Sequence, residues 1–110
     1  MQIYFDGYND DIFIFEANET IPSNSPVMVT SNGTVSTALG QFCGICKDVK
    51  NGYAEVQLQG YVVVPYINAP EIGYSKLSAA RGRVTVDNTY GREYLVINVD
   101  SSTHTVGFIL

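Results

Sequence analysis

Apolar and polar positions alternate along much of this chain, and the period is two. The clearest run follows Asn51-Gly52. Ala54, Val56, Leu58, Gly60, Val62 and Val64 fall on one side, and Tyr53, Glu55, Gln57, Gln59 and Tyr61 on the other. That spacing predicts a long half-buried antiparallel strand, closed at Pro65 by the loss of a ladder donor. Asn51-Gly52 and the earlier Asn32-Gly33 predict tight hairpin turns of type I′, which need positive φ at both central residues. Val27-Met28-Val29-Thr30 reads as a short strand with Val35 beginning its return, and Gly40 to Val49 reads as the next strand. Further on, Arg83 to Val86 is a short strand and Asp87 to Gly91 a turn. Glu93 to Val99 is a strand with Leu95, Ile97 and Val99 sharing a face. Thr105 to Leu110 is a closing strand led by Val106, Phe108 and Leu110. Such an apolar terminal strand belongs inside a sheet. Ser75 to Ala80 is compatible with one helical turn. Ile12-Phe13-Ile14-Phe15 is apolar on both faces, so it is either a doubly covered strand or an arm buried against something else.

Seven to nine short strands in 110 residues make one all-β domain, a small antiparallel β-barrel or sandwich. The chain divides into residues 1–19, an acidic and aromatic N-terminal arm or first strand, and residues 20–110, a single β domain.

Charge sharpens that division. Residues 1–46 carry Asp6, Asp10, Asp11, Glu16 and Glu19 and no Lys or Arg, whereas residues 47–110 hold six acids and six bases. An acidic chain without a basic stripe is a poor nucleic-acid binder, and Arg81-Gly82-Arg83 reads as a turn. No apolar run approaches the ~18 residues of a bilayer span. The start, MQIYFDGYNDD, has neither the basic nor the apolar region of a signal peptide.

Candidate chemistry is sparse. Cys43-Gly44-Ile45-Cys46 is the only C-x-x-C. A structural zinc takes about four ligands, and His104, the one histidine, is remote in sequence. Redox pairs sit at a helix N-terminus, whereas this motif runs into a hairpin. Residues three apart in a strand are roughly 10 Å apart, beyond the ~7 Å a disulfide spans. Both cysteines therefore read as small buried hydrophobes. Asp6 to Asp11 carries oxygen ligands but not the spacing of a calcium loop. No nucleophile has an evident base, and no tryptophan lines a sugar groove for the carboxylate pairs Asp10-Asp11 and Glu16/Glu19. The expectation is a protein without catalytic residues, cofactor or metal. Aromatics cluster at the start instead. Tyr4, Phe5, Tyr8, Phe13 and Phe15 are the candidate interface residues, since aromatic anchors dominate protein interfaces.

Ile21-Pro22, Ser25-Pro26-Val27, Phe42-Cys43-Gly44-Ile45-Cys46, Asn51 to Val62, Gly73 to Leu77, Gly91 to Val96 and Thr105 to Leu110 together form a pattern over residues 20–110. It resembles the small head decoration, or capsid cement, proteins of tailed bacteriophages. The resemblance implies a β module made in the bacterial cytoplasm that adheres to the outside of the virion head and stabilises the shell. It also implies the major capsid protein as partner and a homo-oligomer, with a trimer favoured. The alternative is another virion surface β-module, such as a fibre, baseplate or glycan-binding domain. In that case the Tyr66–Tyr74 loop, with Asn68, Glu71 and its two tyrosines, is the place for glycan contact.

Overall fold

The computed structural model describes residues 12–110, and among them there are ten strands and no helix. The chain first builds a closed five-stranded barrel. Its strands are β1 (Ile12–Ala17), β2 (Ser25–Ser31), β3 (Thr34–Thr37), β4 (Gly44–Lys50) and β5 (Tyr53–Gln57), in the order β1-β3-β2-β4-β5. It then builds a five-stranded sheet from β6 (Tyr61–Pro65), β7 (Gly73–Ala80), β8 (Arg83–Val86), β9 (Arg92–Asp100) and β10 (Thr105–Ile109), in the order β6-β10-β9-β7-β8. The fold is thus all-β, and its strand ladders are antiparallel with one exception. β1 runs parallel to β3, Glu16 opposite Thr34, while pairing antiparallel with β5 on its other side. Those two ladders close the barrel.

The long alternating run is not one strand. It breaks after Gln57 and resumes at Tyr61 in the other sheet. Gly60 turns the corner at φ 87, and the Gln57 side-chain amide clamps it by donating to the carbonyls of Gln59 (2.8 Å) and Tyr61 (3.1 Å). The alternation survives because a bend that carries a strand between sheets can keep its inward parity. Ala54 and Val56 enter the barrel core, and Val62 and Val64 enter the second core.

Three further expectations are corrected. Ser75 to Ala80 belongs to β7, a strand hydrogen-bonded on both sides, to β8 and β9. Two flanking ladders outweigh the weak helical preference of Ser, Leu and Ala there. In β9 the inward residues are Tyr94 and Val96, while Leu95 faces out. Val96 pairs with Phe108 but Asn98 pairs with Gly107, so Ile97 is an extra residue. This bulge reverses the parity and returns Val99 to the core side opposite Val106. The two Asn-Gly turns also differ. Asn51 (φ 54) and Gly52 (φ 80) are both left-handed, as a type I′ turn requires, and so are Arg81 (φ 56) and Gly82 (φ 75). At Asn32-Gly33 only Gly33 is left-handed, and the register slips between Val29 and Ser31. β10, by contrast, lies between β6 and β9 with Val106 and Phe108 fully buried, as the terminal apolar pattern predicts.

Two apolar clusters fill the molecule. The barrel holds Val27, Val35, Cys46, Ala54 and Val56. The second cluster centres on an aromatic trio: Phe42 stacks on Tyr94 at 5.2 Å, and Phe108 packs 5.1 Å from Tyr94 and 6.2 Å from Phe42. β4 is the wall between them. Its alternation sends Ile45 into the second cluster and Cys46 into the barrel. A reciprocal pair of backbone bonds between Gly40 and Ala79, 2.8 and 2.6 Å, ties the β3–β4 connection to β7.

Candidate functional site

A concavity lies where the β6–β7 loop, the first half of β7, the turn after β8 and the start of β9 meet. It is an open cleft of about 510 Å³ lined by Asn68, Glu71, Tyr74, Lys76, Asn88 and Glu93, among others. Alternation in β7 puts Tyr74 and Lys76 on one side of the sheet, and register sets Lys76 opposite Glu93 and Tyr74 opposite Leu95 on β9. Tyr74 is 71% exposed.

The walls are held by hydrogen bonds. Asn68 Oδ1 accepts from the Thr85 hydroxyl and from the Val86 N–H, each at 2.8 Å, which pins the β6–β7 loop to β8. Asp87 caps the opposite turn, its Oδ1 accepting from the N–H groups of Tyr90 (3.0 Å) and Thr89 (3.1 Å). The Tyr90 N–H foremost, with those of Thr89 and the Ser78 hydroxyl, holds the Asp87 carboxyl below the ordinary aspartate range. Gly91 lets this turn close on β7, because a Cβ there would meet the Leu77 nitrogen at 2.9 Å. The charged groups of the cleft are uncommitted by comparison. Among the described residues the ion pair within 4 Å is Lys50–Asp48, so Lys76, Glu71 and Glu93 form no such pair with one another or with any other described residue.

Sequence reasoning placed Asn68, Glu71, Tyr66 and Tyr74 at one candidate contact loop, and the structure divides them. Asn68, Glu71 and Tyr74 line the cleft, whereas Tyr66 is buried (7% exposed) with its ring 5.8 Å from that of His104. Lys76, Asn88 and Glu93 were not anticipated. Each sits in a different element, and only strand register brings them together.

Of the candidate interface aromatics, Tyr4, Phe5 and Tyr8 lie outside the described residues, as does the Asp6–Asp11 segment. Phe13 and Phe15 lie on β1, opposite Val56 and Ala54. Phe15 packs against the barrel core, but Phe13 is half exposed and Ile14, on the other side of the strand, is 62% exposed. β1 is therefore paired with β5 along most of its length and with β3 only at Glu16 and Ala17, and it is not covered on both faces.

The cysteines are free thiols. Cys46 is fully buried on β4, and burial pushes its thiol above the ordinary range. Cys43 lies just before β4 rather than within it, with its N–H bonded to the Val27 carbonyl at 2.9 Å. Gly44 separates them because a Cβ there would meet the Gln57 carbonyl oxygen at 2.6 Å and Val56 at 2.7 Å. No group of three His, Cys, Asp or Glu suited to a metal occurs among the described residues. Comparison of the chain with family models, with curated proteins and with solved structures gives no match.

Proposed function

We propose that this protein is a tailed-phage capsid decoration protein: a non-enzymatic homo-oligomer that binds the outside of the head, contacts the major capsid protein and reinforces the shell. The sequence resemblance over residues 20–110 motivates the reading, and β1 carries it. Phe13 and Ile14 expose apolar surface on a strand held in the barrel wall by β5 along Ile12–Glu16 and by β3 at Glu16 and Ala17. They directly follow the segment containing Tyr4, Phe5 and Tyr8. The Phe13 and Ile14 side chains are available to a protein partner, and aromatic anchors supply much of the energy at protein contacts. Repetition over a shell multiplies modest affinities through effective concentration.

The test is addition of purified protein to expanded heads lacking it. The expected outcome is saturable binding and a higher temperature of head disruption. Removal of residues 1–11, or Ile14→Asp, weakens binding at least about tenfold, equal to ~1.4 kcal/mol, while the β-sheet circular dichroism is retained. Failure to bind the heads of its own phage overturns the reading. Mass measurement in solution reports the oligomer.

A further inference from the structure

We propose that the cleft over β7 and β9 is a carbohydrate-binding site for a neutral or N-acetylated oligosaccharide, with Tyr74 as the stacking platform. This goes beyond shell binding and does not depend on it.

The chemistry of the lining selects the ligand class. The cleft offers donors and acceptors side by side: the Lys76 ammonium, the Asn88 amide, and the carboxylates of Glu71 and Glu93. Sugar hydroxyls each donate and accept, so they can engage both kinds of group at once. Tyr74 adds a flat, largely uncovered ring with an apolar face and a polar tip, suited to the C–H face of a pyranose. The volume, about 510 Å³, lies within the ~300–1,000 Å³ of small-molecule sites, but the mouth is open and the lining polar. A compact apolar ligand would gain little there, whereas an oligosaccharide can lie across it. The two carboxylates exceed the one ammonium, so the local charge disfavours phosphorylated and acidic sugars. Rigid walls complete the site. The Asn68 bonds to β8 and the Asp87 cap of the facing turn fix both rims before any ligand arrives, which lowers the ordering cost of binding.

The test is an amide-resolved NMR titration of the full chain with three probes: N,N′,N″-triacetylchitotriose, maltotriose and trigalacturonate. At least one neutral trimer is expected to bind with a dissociation constant of roughly millimolar order. Its shifts should centre on residues 68–76 and 86–93, with the acidic trimer weaker. Tyr74→Ala should weaken binding at least about tenfold. Tyr53→Ala, which alters an exposed tyrosine on β5 that is not part of the cleft lining, should leave it unchanged. Absence of shifts with both neutral trimers, shifts centred elsewhere, indifference to Tyr74→Ala, or equal binding of trigalacturonate would each overturn the assignment. Head binding by the same variants separates this outcome from that of the decoration reading: Tyr74→Ala should still bind heads, and Ile14→Asp should still bind sugar.

Discussion

At the scale of single residues, the two cysteines show how far local pattern reaches. A hairpin immediately after C-x-x-C already argues against a redox helix, and both sulfurs are indeed free and unbridged. Which one is buried more deeply was not legible, because Cys43 lies outside the strand that Cys46 occupies. Cys46 should react with a thiol reagent only on unfolding, whereas Cys43, partly exposed, should react in the native state; the two rates measured with and without denaturant check this. The Cys46 thiol also has a pH consequence. Its pKa is raised in the folded state, chiefly by burial, so the unfolded chain releases that proton first. Its contribution is fully present below the ordinary thiol value of 9.0 and is lost as pH rises above it, with a slope of at most ~1.4 kcal/mol per pH unit. Tyr94, likewise raised by burial, acts in the same direction from 10.0 upward. Denaturation curves between pH 8 and 10 should therefore fall less steeply for Cys46→Ala than for the unaltered protein, and identical slopes would exclude this source.

At the scale of elements, most strands were legible because alternation is a local property, and their ends were legible where Pro or Asn-Gly marks them. The misread places share one cause: parity alone does not say which sheet a strand joins or where a residue is inserted. The run from Tyr53 to Val64 reads as one ribbon, yet Gly60 divides it between barrel and sheet. The Ile97 bulge reverses a face that the sequence presents as uniform. Gly60 gives a clean test of the corner. An added Cβ would find only the Gln57 amide, at 3.5 Å, so Gly60→Ala adds backbone strain with little steric clash. It should cost about 1–2 kcal/mol, read as a lower denaturation midpoint with an unchanged m-value. No loss would mean that the corner adopts another conformation.

At the scale of the whole molecule, β4 decides how the parts cohere. Because its two faces serve two cores, barrel and sheet should unfold together. Ile45→Ala, which empties a fully buried position, should cost about 2–5 kcal/mol. Loss of Cys46 protection in the barrel and loss of the Tyr94 near-ultraviolet signal in the second core should coincide in one transition. Separate transitions would mean that the two units are independent. The same scale governs the proposed sites. A strand carrying exposed aromatic and apolar residues could be suspected from Ile12 to Phe15, but that it closes a barrel depends on a parallel pairing with β3 that no local pattern announces. Half of the cleft, Asn68, Glu71 and Tyr74, comes from one legible loop, and the other half from residues that are neighbours only through register. The amino-acid order thus dictated the all-β class, most turns, the inward sides of most strands and the burial of Cys46, since these follow from period-two burial and turn chemistry over a few residues. The allotment of strands to barrel or sheet, the double-faced role of β4 and the assembly of the cleft were settled by long-range pairing, where hydrogen bonds between distant segments choose among arrangements that share the same alternation.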